Sequence, residues 1–149
     1  RLCPLPAGYQ PIPRQGLHAA LLHGGRLLLV CPPEGDWLEL PGGGIEPGEE
    51  ATTALQRELR EEAGLRLNAS SLRPLAEVRV HNRYYAQNHD AYWLYDQRFR
   101  LIHMPQPPPL EAPEEPGHVR HWIPLPELHA QPIHHLHRAA VDQLLGPRR

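Results

Sequence analysis

The stretch GGIEPGEEATTALQRELREEAGL, residues 43–65, decides how the rest of the chain is read. The run PGGGIEPGEE (41–50) is too rich in glycine and proline for regular structure, whereas Glu49 to Ala63 reads as a helix stopped by Gly64. Acidic Glu49 and Glu50 suit the positive end of its dipole. Further on, Glu58, Glu61 and Glu62 fall within about two turns, where like charges cost an isolated helix about 0.2–0.5 kcal/mol per pair. Such crowding needs a reason.

At about 100° per residue with Glu58 at the origin, Ala51, Leu55, Leu59 and Ala63 form one apolar stripe from about 20° to 140°. Glu62 falls at about 40°, inside that stripe, Glu58 at its edge, and Glu61 about 60° beyond. Gln56, Thr53, Arg60 and Arg57 take the opposite side. A charge run is usually a solvated face, yet here two of the three glutamates border the buried side. Partly buried carboxylates are costly without partners, and a cluster raises the pKa of each member unless a cation lies among them. Three carboxylates converging beside a loop suit a hard divalent ion, Mg2+ or Mn2+.

The loop before the helix fits the same chemistry. Pro41, Gly42, Gly43 and Gly44 carry almost no side chain, so backbone can approach a ligand there. Oriented N–H groups near a helix start favour phosphate. A cation beside a phosphate cradle points to hydrolysis of a phosphoanhydride, the ion neutralising charge and supplying the attacking hydroxide.

Around this segment the pattern is that of an α/β layer fold. Residues 1–16 read as an irregular arm with four prolines and no apolar stretch of a signal peptide. Residues 17–149 read as one domain, long enough for a proper core. LHAALLHGGRLLLVC (17–31) is a hairpin about Gly24-Gly25, and WLEL (37–40) a short strand. LAEVRVHNRYY (75–85) and AYWLYDQRFRLIH (91–103) read as two strands joined by a polar turn. MPQPPPLEAPEEPG (104–117), with six prolines in fourteen residues, reads as an irregular loop. HVRHWIPL (118–125) is a further strand, and PIHHLHRAAVDQLL (132–145) a final helix.

The net charge of −2 offers no basic field for nucleic acid or anionic membrane. All fifteen basic residues are arginine. Cys3 and Cys31 are too few for a disulfide framework, which favours a reducing, cytoplasmic setting. No apolar run approaches the ~20 residues of a membrane helix.

Gly43, five residues, Glu49, seven residues, Arg57-Glu58-Leu59, one residue, Glu61-Glu62, one residue, Gly64-Leu65: this spacing resembles the complete Nudix box. All nine named positions of the 23-residue signature are filled. WLELPGGGIEPGE resembles the approach to the box, and HVRHWIPLPEL the late strand and turn, so the resemblance covers residues 17–145. It implies an α/β/α sandwich with a mixed sheet, and hydrolysis of a nucleoside diphosphate linked to another group with Mg2+ or Mn2+.

Carried over by residue, Glu58, Glu61 and Glu62 resemble the metal ligands, and Glu58 or Glu61 the base acting on the attacking water. Arg57 resembles the residue that orients a box glutamate, Glu49 its support at the helix start, and Gly43 the glycine of the tight loop. Many members add a later carboxylate; Glu111, Glu114 and Glu115 are the candidates, with Glu115 favoured because it precedes the late strand. The resemblance admits a homodimer.

The substrate is less legible. Val80 stands where some ADP-ribose-cleaving members have proline, and Tyr84 and Tyr85 lie close to a tyrosine of some dinucleoside polyphosphate hydrolases. Tyr84, Tyr85, Tyr92, Trp93 and Tyr95 are candidates for stacking on a base, although such aromatics more often pair across strands. Trp37 reads as lining the pocket or packing under the loop, and Trp122 as core. Arg83, Arg98 and Arg100 could meet phosphates but more often such residues face solvent. His134, His135 and His137 lack a clean i, i+4 pair on one face, and His118 and His121, though close in sequence, come without the cysteine or matching carboxylate of a structural zinc site. The competing reading is a catalytically silent domain that senses nucleotides; loss of a box glutamate would favour it, and none is lost.

Overall fold

The apolar run at residues 17–31 folds as the hairpin that its glycine pair predicts. Strands β1 (Ile12–His23) and β2 (Arg26–Cys31) pair antiparallel, with Leu22 opposite Leu27. Gly24 and Gly25 turn at φ 58° and 75°, the positive values a two-residue hairpin turn requires. The computed structural model describes residue 8 and residues 10–86 and 91–146.

The chain continues through β3 (Gly42–Gly44), α1 (Ala51–Ala63), β4 (Ala76–Ala86), β5 (Ala91–His103), β6 (Val119–Pro124) and α2 (His135–Leu145). The six strands form one sheet of order β4-β5-β1-β2-β6, with β3 beside β1 off that path. β1 runs parallel to β5 and antiparallel to β2 and β3, so the sheet is mixed.

Side chains of β1 and β2 alternate between two cores. Leu17, Ala19, Leu21, Leu28 and Val30 pack with Leu55, Leu59 and Ala63 of α1. Ala20, Leu27 and Leu29 pack with Phe99 and with Ala140, Val141 and Leu144 of α2. The sheet is therefore covered on both faces, which is why its central strands read as continuous apolar runs. This is the α/β/α sandwich expected.

Three segments differ from their sequence reading, each because a distant partner overrides local composition. Gly42–Gly44 is a strand, set against β1 with Leu17 opposite Gly43 and flanked by Ala19 N–H donating to Pro41 O at 2.9 Å. Residues 12–16 belong to β1 instead of an irregular arm, because they extend its parallel pairing with β5 as far as Ile12 opposite Trp93. WLEL forms only isolated bridges, Glu39 to Val30 and Leu38 to Ile133. Among the described residues, no helix is long and apolar enough to cross a membrane.

Candidate active site

Helix α1 carries the box glutamates against the sheet edge formed by β3. It starts after Glu50 and ends at Gly64, whose backbone turns left-handed at φ 68°. Its buried residues are Ala54, Leu55, Glu58, Leu59 and Ala63. Ala54 is more deeply buried than Ala51, so the buried arc is rotated towards Glu58. Glu58, expected at the edge of the stripe, is 9% exposed.

Arg57 is the hub that makes this burial tolerable. Its Nε and Nη2 donate to the two oxygens of Glu49 at 3.0 and 3.1 Å. Its Nη1 donates to Glu58 Oε1 at 3.0 Å and lies 3.4 Å from both oxygens of Glu61. Nη2 also reaches the Gly44 carbonyl at 3.0 Å, tying α1 to β3. Glu49 is held in turn by the Glu46 N–H at 3.0 Å. Hydrogen bonds from Arg57 first, and from the Glu46 backbone second, hold the Glu49 carboxyl below its ordinary range. The Glu49 hydrogen bonds first, and Glu58 after them, push the Arg57 guanidinium up against burial, so it stays charged at any relevant pH. The wheel put Arg57 on the solvated side; the structure folds its side chain back over the acids, where it is 23% exposed.

The glycines make room for carboxylates. A Cβ at Gly43 would come within 2.7 Å of Glu58 Oε1, so any side chain there would displace the Glu58 carboxylate from its place beside Arg57. Gly42 N–H donates to Glu62 Oε1 at 3.0 Å. That donor is therefore committed to a protein carboxylate.

Glu62 lacks the guanidinium that serves Glu58. Burial raises its carboxyl to about 8; the Gly42 N–H partly offsets this, and Glu58, Glu115 and Glu39 add to it. Glu58 is also raised, by burial first, with Arg57 opposing and Glu61 and Glu115 adding. Buried oxygen donors whose negative charges are only partly compensated fit a divalent cation.

The proline-rich loop closes the far side. Main-chain N–H groups of Glu111, Glu114 and Glu115 donate to the carbonyls of Gly64, Arg60 and Glu61 at 3.0, 3.1 and 2.8 Å. The loop thus satisfies carbonyls that a helix end leaves open. A Cβ at Gly64 would collide with the Glu111 carbonyl, so that glycine serves the loop as well as the cap. Arg120 Nη1 clamps the junction by donating to Ala63 O at 2.7 Å and to Glu111 O.

The three loop acids separate here. Glu111 and Glu114 accept from Arg66, and Glu114 also pairs with Arg60 at 3.6 Å. Glu115 is exposed, yet it, Glu62 and His118 offer ligand atoms all within 4.8 Å of one another.

Other expected residues lie elsewhere or outside the described side chains. Tyr84 is in β4 opposite Trp93, but its side chain and that of Tyr85 lie outside the described residues. Tyr95 is buried beside the site; its ring would meet a Cβ on Gly16, and its hydroxyl one on Gly44. Trp37 is 51% exposed and contacts the ring of His134 at the start of α2. Arg100 pairs with Glu77 at 2.9 Å. Two residues that the sequence did not single out for the site are Glu39 and His118. Both are brought in by long-range pairing, Glu39 opposite Val30 and the β6 strand that follows His118 along β2.

The mixed sheet between two helical layers is the fold that the resemblance implies, and the NUDIX domain family model matches residues 14–144. The chain belongs to the Nudix family.

It is 49% identical over 49 residues to nucleoside triphosphatase NudI of Enterobacter sp. (strain 638), which covers 31% of this chain and 34% of that protein. It is 39% identical over 64 residues to NudI of Salmonella arizonae, covering 41% and 45%. The chain thus spans less than half the length of these curated relatives. Among solved structures, it resembles a MutT Nudix hydrolase from Burkholderia pseudomallei, with TM-score 0.62 and 28% identity over 89% of this chain and 98% of that one. The Nudix fold is also shared with a bifunctional NMN adenylyltransferase/ADP ribose pyrophosphatase from Francisella tularensis, complexed with AMP and a manganese ion. That likeness has TM-score 0.67 and 21% identity, over 93% of this chain and 42% of that one.

Proposed function

We propose that this Nudix domain hydrolyses a phosphoanhydride bond in a nucleoside diphosphate linked to another group, with Mg2+ or Mn2+ held by Glu58, Glu61 and Glu62. The observation that carries this reading is the convergence of the three carboxylates beside Gly42–Gly44 with one guanidinium among them. A bound divalent ion supplies Lewis acidity at the phosphates and at the attacking water.

The chain's own groups then have distinct tasks. Arg57 keeps Glu58 and Glu61 in fixed rotamers, and Glu49 keeps Arg57 in place. Gly42 N–H fixes one oxygen of Glu62. Glu58 or Glu61 accepts the proton of the attacking water, with Glu115 the later carboxylate that joins them. Gly42, Gly43 and Gly44 border the phosphates, and Tyr84 is the candidate for the base. Likeness to relatives named nucleoside triphosphatase supports testing nucleoside triphosphates first.

The test is product release from a panel of canonical and oxidised nucleoside triphosphates, nucleoside diphosphates, ADP-ribose, diadenosine polyphosphates and nucleotide sugars, with Mg2+. Turnover of one class by the wild type, lost in Glu62→Gln, supports the reading and names the substrate. Silence across the panel despite cation binding favours a nucleotide-sensing domain instead.

A further inference from the structure

The acids of the site fall into two poles with different compensation. At one pole, Arg57 serves Glu49, Glu58 and Glu61. At the other, Glu62 and Glu115 face each other with Gly42 N–H as a hydrogen-bond donor to Glu62. The nearby guanidiniums are committed elsewhere. Arg60 and Arg66 bind Glu114 and Glu111, and Arg120 binds the carbonyls of Ala63 and Glu111.

What this second pole has instead is an imidazole. His118 Nε2 lies 3.9 Å from Glu115 Oε1, and the side chain is only 11% exposed. Its Nδ1 is shielded from solvent and has no hydrogen-bond partner in the described structure. Nε2, the ring nitrogen placed 3.9 Å from the Glu115 carboxylate, is the donor this pole offers an ion. Burial raises the Glu39 carboxyl, and the charge interaction with His118 only partly offsets this.

We propose that His118 is a nitrogen ligand in this site, holding one divalent ion with Glu62 and Glu115, so that the second pole favours a borderline transition metal over Mg2+. The inference rests on the metal-dependent reading of the box. Three ligand atoms within 4.8 Å of one another can close on an ion at about 2.0–2.2 Å from each with small side-chain rotations. Carboxylates alone suit Mg2+, whereas an imidazole shifts preference towards Mn2+, Co2+ and Zn2+. The short path from Glu115 to His118 makes the pair one unit. The loop fixes Glu115 through its main-chain bond to Glu61, and β6 begins at Val119 immediately after His118.

The experiment is calorimetric titration of the untagged full chain with Mg2+ and with Co2+, together with the visible absorption of the Co2+ form. Wild type, His118→Gln and Glu62→Gln are compared. The expected result is that His118→Gln weakens Co2+ binding by about tenfold or more and alters its absorption bands, while Mg2+ binding changes by less than about twofold. Glu62→Gln weakens both ions. If His118→Gln leaves Co2+ affinity and spectrum unchanged while Glu62→Gln weakens them, the carboxylate site stands and the imidazole ligand is overturned. Equal loss of Mg2+ and Co2+ in His118→Gln also overturns it, because that is the signature of a positioning role. If neither variant alters binding, the cation sits elsewhere and the metal reading of Glu62 falls as well.

Discussion

The two faces of the sheet bury ionisable groups in opposite ways. On the α1 face, Glu58 and Glu62 are packed beside a hub of hydrogen bonds. On the α2 face, His18 stacks on Phe99 at 5.1 Å and meets His137 edge-on at 4.8 Å, and His137 Nδ1 accepts the Leu40 N–H at 2.9 Å. Desolvation dominates on both sides, raising the acids and lowering the imidazoles. The acids are surrounded by oriented donors and a guanidinium, whereas the imidazoles are surrounded by rings. One face is arranged to receive charge, and the other to stay neutral and pack.

The largest expected effect tests that assignment. Glu61→Gln or Glu62→Gln should lower kcat by roughly a hundredfold or more with KM changing less, because a contact made in the transition state is lost. Steady-state kinetics on whichever substrate the panel identifies, with circular dichroism to verify the fold, reads this out. Wild-type rates in both variants would leave the α1 face no more functional than the α2 face.

Arg57→Lys comes next. One ammonium cannot reproduce the fork that spans Glu49, Glu58, Glu61 and the Gly44 carbonyl. Turnover should fall about tenfold, since the acids stay but lose their fixed arrangement. A lysine variant with full activity would mean that charge alone matters at this hub.

The two faces should also titrate in opposite directions. Glu62 in the folded chain is raised from 4.5 to about 8, so between those values the native state holds a proton that the unfolded state has released. Its contribution to stability is therefore lost as pH rises through that window in cation-free protein. His18 is lowered from 6.5 to about 4, so the unfolded state binds the proton first and stability is lost as pH falls through that window. Melting in chelator should show Glu62→Gln flattening the alkaline side and His18→Leu the acid side, each by about 4 °C or more. One variant moving both sides would mean the faces are coupled through the sheet.

Legibility in the sequence follows the range of the interactions. The burial of Glu58 came from packing beyond the helix, whereas the box spacing placed α1 and its terminating glycine because helix geometry is local. The hairpin at Gly24-Gly25 and the β4–β5 pair were legible for the same reason. β3 was not, because three glycines become a strand only when Gly16–His18 supplies the facing edge. Glu39 was likewise invisible as a site residue, and His118 was weighed only as a zinc ligand without a matching carboxylate: β2 pairs with both the Glu39 segment and β6, and no spacing along the chain encodes that meeting.

The smallest effect sharpens the comparison within a single loop. Glu114 and Glu115 are adjacent, and both N–H groups cap α1. Both side chains are exposed, but they diverge, Glu114 to Arg60 and Arg66 and Glu115 towards Glu62 and His118. Glu114→Gln keeps the main-chain bond and loses only solvent-screened pairing, so kcat/KM should change by less than about twofold. Glu115→Gln keeps the same main-chain bond but removes a charge from the carboxylate pole, and its loss should be several times larger. Measured side by side, the two variants separate docking of the loop from the chemistry of the one acid that faces Glu62. If Glu114→Gln proves the more damaging, the loop acts through its arginine contacts, and Glu115 has no place in the site.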